Sequence, residues 1–324
     1  MTAILKMGVL SQPGNWSLEQ LELAARERGH MVVPLEFSEL AASCGSGTRS
    51  ADRPIEITGQ TFLTPSKEAT PHFELDGLDA LIVRSMPGGS LEQVVTRMNL
   101  LALAEQKGLP IINSPRSLEC AIDKFLTTAR LAHAGLPVPA TFVCETAQEA
   151  LQAFEKLGRN VVLKPLFGSE GRGIFRIEEP ELLWRVAQTL VRTGAVLYLQ
   201  EYIDHGGRDL RVLVLNGAPL GAIERKSQED FRTNLSLGGQ SMRTELDDET
   251  ASLAVAAAKT VGTVFAGVDL VRRPDGQWLL LEVNGVPGWK GFQAATGIPV
   301  ATRLIEYVEQ LVEASQVGRS EPGR

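Results

Sequence analysis

Two periods of hydrophobic and polar positions alternate along the chain, and the changes of period lay out its elements. An apolar run over residues 3–10 gives way to Ser11-Gln12-Pro13-Gly14-Asn15. Residues 17–28 then carry Leu18, Leu21, Ala24 and Ala25 at helical spacing and stop at Gly29. A second apolar run, 31–37, completes a β-α-β opening of the kind that builds a parallel sheet. Residues 44–71 are polar and rich in Gly, Ser and Thr, with short strand candidates at 55–57 and 61–63. A hairpin insertion and a mobile loop both fit that composition. Residues 80–83 read as a buried strand, 90–107 as a helix capped by Ser90 and ended by Gly108, and 110–112 as a strand. Asn113-Ser114-Pro115 closes this first domain.

Beyond it, helices are predicted over 116–135 (with Asp123 and Lys124 in the middle), 147–157, 182–192, 250–265 and 300–314. Strands are predicted over 141–144, 160–164, 174–177 and 196–203. Segments 209–215 and 220–225 flank Asn216-Gly217, a strong hairpin dipeptide. The last residues, 315–324, are polar and expected to fray.

Residues 266–291 carry the densest chemistry, A-G-V-D-L-V-R-R-P-D-G-Q-W-L-L-L-E-V-N-G-V-P-G-W-K-G. Two apolar runs surround Pro274-Asp275-Gly276, a hairpin signal. With Asp275-Gly276 as a two-residue turn, Pro274 pairs with Gln277 and Asp269 lies across from Glu282. Opposed residues share a face with Cβ atoms roughly 5 Å apart, and Asn284, two further on, joins them. A three-residue turn would slip this register by one. Facing carboxylates repel unless a cation lies between them. Oxygen ligands without His or Cys suit Mg2+ or Mn2+; a solvated acidic hairpin face is the alternative.

Composition narrows the classes. The 324 residues are 44% hydrophobic and 22% charged, enough for two or three domains with cores of their own. The net charge of −7 disfavours nucleic acid as a partner, so any bound polyanion needs a local basic site. Cys44, Cys120 and Cys144 are scattered and odd in number, which speaks for a reducing compartment and against a disulfide framework. The four histidines lack zinc-ligand spacing. No signal-peptide pattern and no membrane-spanning run is present, and a cytoplasmic protein is expected.

Three further stretches suit a nucleotide. Lys164 opens a Gly-rich loop, K-P-L-F-G-S-E-G-R-G, between two predicted strands. Glycines allow backbone N–H groups to close over phosphates, and the lysine adds a point charge. The flanking strands exclude a Walker loop and a dinucleotide fingerprint. Gln200-Glu201-Tyr202-Ile203 ends an apolar strand, where a backbone edge beside an aromatic ring suits adenine, with Glu201 accepting from its amine. Arg225 follows the apolar strand 220–223, and an arginine there suits bidentate recognition of phosphate or carboxylate. Each stretch alone also reads as an ordinary turn or strand end.

Taken in order, Asp123-Lys124, K-P-L-F-G-S-E-G-R-G, L-Q-E-Y-I, R-D-L-R-V-L-V, I-E-R-K, D-F-R-T-N-L-S-L-G-G, A-G-V-D-L and L-E-V-N-G-V-P-G-W resemble the ATP-grasp ligases, specifically the RimK-like α-L-glutamate ligases, over residues 113–312. The resemblance implies an α/β (α+β ATP-grasp) fold with a parallel-sheet pre-ATP-grasp domain over 1–114. ATP-grasp subdomains over 115–195 and 196–314 and a disordered tail over 315–324 would follow. It implies that Lys124 and Lys164 meet the ATP phosphates under a loop containing Gly168, Ser169 and Gly171. Glu201, Tyr202 and Ile203 would hold adenine, Asp209 would lie at the ribose, and Arg232, Thr233 and Asn234 would cover the triphosphate. Asp269, Glu282 and Asn284 would bind two Mg2+ or Mn2+ ions. Arg225, Lys164 and Arg211 would be catalytic. Val286 stands where many relatives have Ser, which bears on loop packing more than on ATP.

The implied reaction is phosphorylation of a carboxylate by ATP and capture of the acyl phosphate by an amine, L-glutamate. R-S-M-P-G-G-S-L-E-Q-V and I-N-S-P-R-S-L-E resemble the branch associated with tetrahydromethanopterin synthesis, which implies a pterin-precursor carboxylate as acceptor. Arg84, Arg211 and Arg225 are candidates to clamp substrate carboxylates. The alternatives are a protein C-terminus, a carrier protein, or a non-catalytic ATP-binding protein. A homo-oligomer, dimer or tetramer, without a nucleic-acid or membrane partner is expected. The loops 168–173 and 232–239 should order with nucleotide.

Overall fold

The computed structural model describes residues 3–45, 55–61, 72–168, 172–227 and 240–319 of the chain. They form two compact units. One takes the described residues of Met1–Leu118, Val286–Gln293 and Ile298–Arg324; the other takes those of Glu119–Gly285 and Ala294–Gly297.

The first unit opens with β1 (Lys6–Leu10), α1 (Trp16–Glu27) and β2 (Met31–Leu35). It continues through β3 (Ala41–Cys44), β4 (Ile55–Gln60), β5 (His72–Glu74), β6 (Ala80–Val83), α2 (Leu91–Gln106) and β7 (Ile111–Ile112). The sheet has the order β2-β1-β6-β7 and is parallel throughout, as the β-α-β pattern predicts. Its strands are nearly continuous apolar runs because both faces are covered. Leu10, Leu81 and Val83 pack with Met98 and Leu101 of α2. The Asn15 side chain caps α1, and Ser90 with Gln93 forms a capping box on α2. The polar stretch after β2 supplies a second, antiparallel sheet, β3-β4-β5, so among the described residues it is a hairpin insertion. Residues 46–54 and 62–71 lie outside the described part.

The second unit corrects the sequence reading first at Asp123. The expected helix over 116–135 is two helices, α3 (Pro115–Ile122) and α4 (Lys124–His133). Asp123 is extended and accepts from Leu126 N at 2.9 Å, an N-cap that restarts the helix and puts Lys124 at its first position. Next come β8 (Thr141–Cys144), α5 (Ala147–Lys156), β9 (Val161–Lys164), β10 (Phe175–Ile177), α6 (Pro180–Arg192) and β11 (Leu197–Glu201). These four strands form an antiparallel sheet, β10-β9-β11-β8. One face, with Val161, Leu163, Leu197 and Leu199, packs on Phe154 and Ala150 of α5 and Leu183 of α6. The strand after residue 195 therefore belongs to this sheet.

A five-stranded antiparallel sheet follows: β12 (Arg208–Leu215), β13 (Ala218–Lys226), β14 (Gln240–Thr244), then across α7 (Asp248–Val261) to β15 (Phe265–Arg272) and β16 (Trp278–Asn284). The order is β14-β13-β12-β15-β16. Asn216 and Gly217 both take positive φ, 49° and 73°, which completes the two-residue turn read from the sequence. Gly262 (φ 86°) ends α7 early, so Phe265 starts β15 instead of ending the helix. Alanines 254, 257 and 258 of α7 lie against Val212, Val268, Leu270 and Val283 on one face of this sheet. That leaves the opposite face for polar residues. Helices α8 (Lys290–Thr296) and α9 (Val300–Arg319) finish the described chain. α9 continues past 314 and belongs with the first unit, where Glu309 binds Arg28 and His30 Nε2, the latter at 2.7 Å.

Candidate active site

The hairpin β15–β16 holds Asp269 opposite Glu282 and Gly267 opposite Asn284, by a different route from the one predicted. The turn is not two residues: Arg273 N donates to Gln277 O at 2.8 Å, leaving three residues between them. That slips the register by one, so Leu270 meets Leu280 and Arg272 meets Trp278. A β-bulge between Asp269 and Leu270 then takes up Leu281 and restores the acidic pair. Leu281 packs beside Ile203, Val271 and Leu279, an apolar contact that offsets the lost ladder position.

Strand alternation gathers the rest. Arg211 on β12 pairs with Asp269 on β15 and with Ile223 on β13, and Asp209 pairs with Arg225. Asp209, Arg211, Arg225, Asp269, Glu282 and Asn284 therefore lie on the sheet face turned away from α7. Four of them form an alternating ionic chain. Arg211 holds both oxygens of Asp269, Nε and Nη2 each at 2.7 Å. Arg225 holds both oxygens of Asp209, with Nε at 2.7 Å, and its Nη2 lies 2.9 Å from Asp269. Arg225 is 3% exposed, Asp209 6% and Asp269 5%. Burial would push the Arg225 guanidinium down, but Asp269 and Asp209 hold it above its ordinary value. Burial would push the Asp269 carboxyl up, and Arg211 and Arg225 outweigh it. Arg211 and Arg225, expected to be open to a substrate carboxylate, are thus already engaged by carboxylates of this chain.

The four-stranded sheet contributes Lys164 and helix α4 contributes Lys124. Tyr198 on β11 pairs with Lys164 on β9, and Gln200 pairs with Thr141 on β8, so these four share the face away from α5 and α6. Lys164 Nζ donates to Gln200 Oε1 at 2.7 Å. Burial pushes the Lys164 ammonium down to about 8, opposed by the charge of Glu282. Lys124 is lowered by burial as well, against Glu282 and Asp123. Both lysines thus feel the Glu282 carboxylate, which ties the cationic face to the acidic one. Lys124 Nζ also donates to Gly168 O at 2.7 Å, at the start of the Gly-rich loop. Ser169, Gly171, Arg232, Thr233 and Asn234, and with them most of the loops 168–173 and 232–239, lie outside the described residues.

At the strand end 201–203 each side chain has a partner within the chain. Glu201 Oε1 accepts from Ala140 N at 2.7 Å and from the Arg273 guanidinium, so its carboxylate ties β11 to the hairpin turn. Arg176 covers one face of the Tyr202 ring at 3.8 Å. Ile203 is buried against Val271 and Leu279. Arg84 lies in the first unit, buried, with its guanidinium 4.3 Å from the Trp289 ring and Nη2 2.6 Å from Pro287 O. Burial pushes it down to about 9. Sequence reading missed Gln200 and Tyr198 as parts of the site and Arg273 as the partner of Glu201.

The donor set suits a hard divalent cation. It offers two carboxylates and an amide on one face with no sulfur or imidazole. Among the described residues no three His, Cys, Asp or Glu side chains stand together as a metal cluster. Asp269 Oδ2 is held by both Arg211 and Arg225, while Oδ1 accepts from Arg211 Nε; a carboxylate oxygen has two lone-pair sites, so Oδ1 keeps one for a cation.

The site thus joins a hairpin of acidic residues to two partly buried lysines at the start of a Gly-rich loop. Residues 121–308 match the RimK-like ATP-grasp domain, and residues 17–119 match the N-terminal domain of prokaryotic glutathione synthetase. The chain belongs to the RimK-like ATP-grasp family; it is an ATP-dependent ligase. It is 32% identical over 336 residues to the tetrahydromethanopterin:alpha-L-glutamate ligase of Methanosarcina acetivorans, covering 95% of this chain and 99% of that protein. It is 30% identical over 322 residues to a probable alpha-L-glutamate ligase of a Shewanella species, covering 98% and 99%. Among solved structures, the ATP-grasp ligase PsnB complexed with minimal precursor, Mg and ADP gives a TM-score of 0.69 at 21% identity, over 96% of this chain and 99% of that one. D-cycloserine synthetase DcsG gives 0.69 at 19% identity, over 96% and 100%. No helix among the described residues is long and apolar enough to cross a membrane.

Proposed function

We propose that the chain joins the amine of L-glutamate to a small-molecule carboxylate of the pterin-precursor type, converting ATP to ADP and phosphate. The observation that carries this reading is the end-to-end similarity, at 32% identity, to the tetrahydromethanopterin:alpha-L-glutamate ligase. The net charge of −7 adds to it, since it disfavours steering of an acidic protein tail.

In this reading a carboxylate oxygen of the acceptor attacks the γ-phosphorus of ATP, the bond to the bridging oxygen breaks, and ADP leaves. The glutamate amine then attacks the acyl carbon, phosphate leaves, and the amine gives up its proton. Such transfers depend on positioning and charge neutralisation more than on covalent catalysis. Lys124 and Lys164 would meet phosphate oxygens, and because burial has removed part of their hydration, an anion gains more there than at a fully exposed lysine. Arg225 and Arg211 would present guanidinium groups fixed in place by Asp209 and Asp269, needing no reorganisation during transfer. Adenine would lie against the backbone of 201–203, because the Glu201 side chain is engaged elsewhere. A ribose contact by Asp209 would compete with its hold on Arg225. Asp269, Glu282 and Asn284 would hold one or two Mg2+ or Mn2+ ions, which when bound neutralise phosphate charge. The sheet β10-β9-β11-β8 and the sheet β14-β13-β12-β15-β16 would be the two halves of the grasp. In this reading the chain works in the cytoplasm as a dimer or tetramer.

The lowered Lys164 value sets a pH dependence. The ammonium is the form that binds phosphate, so affinity should fall as pH rises through about 8. An exposed lysine would hold its charge to roughly 10. Titration of the chain with ATP across this range should show weakening approaching tenfold per pH unit on the alkaline side. Constant affinity up to roughly pH 9.5, an ordinary lysine's behaviour, would contradict it.

The substrate assignment is tested by ADP release against a panel of amino acids and acceptors. Glutamate with a pterin carboxylate is expected to support release. Release only with a ribosomal-protein tail or a carrier protein would reassign the acceptor and leave the ligase chemistry standing. ATP binding without release for any pair would favour a non-catalytic ATP-binding protein.

A further inference from the structure

Lys164 and the backbone of Lys124 are joined by one hydrogen-bonded chain. The Thr128 hydroxyl lies 2.8 Å from Lys124 O and 3.0 Å from Tyr198 Oη; with its proton on Lys124 O it accepts from the tyrosine. Tyr198 therefore donates to Thr128, and its oxygen is open to the amide N–H of Gln200 at 3.1 Å. The second N–H of that amide donates to Thr141 Oγ1 at 3.1 Å, whose own proton goes to Pro139 O at 2.9 Å. With both amide protons committed, the Gln200 carbonyl oxygen can face only Lys164, from which it accepts at 2.7 Å. Gln200 is 2% exposed and Tyr198 1%, so the bond between them is shielded from solvent. A reversed amide would set its N–H groups against an ammonium, which donates only. A buried network with every member satisfied is rigid and specifies one arrangement.

We infer that Gln200 is a positioning residue for ATP, holding the Lys164 ammonium in place through its carbonyl while the amide of the same side chain, by way of Tyr198 and Thr128, fixes Lys164 relative to the start of α4 and Lys124. This rests on the reading of Lys164 as a phosphate-binding lysine. Gln200 touches no reacting atom in it. The family resemblance drew attention to Glu201 and Tyr202, and the preceding residue, on the opposite face of the strand from Glu201, does the orienting.

The test is binding of a fluorescent ATP analogue, with Michaelis constants for ATP and glutamate, in Gln200→Met, Gln200→Glu and Tyr198→Phe. Gln200→Met keeps length and removes the acceptor, and loss of a hydrogen bond to a charged group should weaken ATP roughly 10- to 100-fold. The KM for glutamate should stay within about twofold of wild type, a split that a general loss of structure would not produce. Gln200→Glu retains an oxygen for Lys164 and should bind ATP more tightly than Gln200→Met. Tyr198→Phe keeps the ring and severs only the link to α4; its loss, expected at several-fold for a neutral bond, reads the network even where the methionine variant fails to fold. ATP binding by Gln200→Met and Tyr198→Phe equal to wild type overturns this inference alone. Equal rises in both Michaelis constants overturn it too. Absence of ATP binding by the wild-type chain overturns the functional reading and this inference with it.

Discussion

Arg225→Met is expected to lose about 3–5 kcal/mol of stability at neutral pH, the cost of breaking a buried ion pair from one side, and to abolish ADP formation. Arg225 is 3% exposed and grips the buried Asp209 carboxylate while touching Asp269. The methionine fills much of the volume but leaves Asp209 without its bidentate partner and Asp269 with Arg211 only. The deficit should depend on pH in a defined direction. Asp269 is held below its ordinary value in the folded chain. Its ion pairs therefore contribute in full above the unfolded value of about 3.9 and less as pH falls through the folded one. The gap between wild type and Arg225→Met should thus narrow toward acid. Urea unfolding at neutral and acidic pH measures it. A neutral-pH loss under about 1 kcal/mol, the range of a solvated pair, would show that the array is not desolvated.

Glu282→Ala should do the opposite, leaving the fold within about 1 kcal/mol and lowering turnover on the order of 10²–10³-fold or more. Glu282 is only partly buried, and its charge acts on Lys124 and Lys164. Facing Asp269 alone it would be a liability. Here Asp269 is neutralised by two arginines, so removing Glu282 relieves little repulsion and costs some attraction to the lysines. Those lysines should then titrate lower still, because the opposing effect of Glu282 is gone. The alkaline limb of ATP binding should move down with them. Thermal unfolding without nucleotide and ADP formation with glutamate and acceptor separate the two effects. Wild-type turnover in Glu282→Ala would remove this carboxylate from the chemistry.

The facing acids were legible because hairpin alternation survives a paired error. The turn slipped the register by one and the bulge at Leu281 returned it, and no residue type announces a bulge. The polar face of the five-stranded sheet was legible in outline, since Asp209 and Arg211 sit two apart on a strand. That Arg211 and Arg225 are spoken for by Asp269 and Asp209 was not, because the strand order β13-β12-β15 is a tertiary fact. Asp123 carried a readable N-cap signal that the continuous apolar pattern around it masked. Glu201 was assigned to adenine because its neighbours suggested it; its partner Arg273 lies 72 residues away. Gln200 and Tyr198 looked like ordinary strand residues, and only the neighbouring strands reveal what their side chains meet. The short β14, with the polar sequence Q-S-M-R-T, and α8 carry too little periodicity to read. The placement of α9 with the first unit depends on Arg28 and His30 meeting Glu309, again a long-range contact.

The most direct test of a ligase working through an acyl phosphate is to follow an isotopically labelled oxygen of the acceptor carboxylate. With ATP and acceptor but no glutamate, hydroxylamine should trap the acceptor as its hydroxamate, one per ADP formed. With glutamate added, the label should appear in the released phosphate. Amide formation without label in phosphate, or with AMP and pyrophosphate in place of ADP, would contradict phosphorylation of the carboxylate at this site.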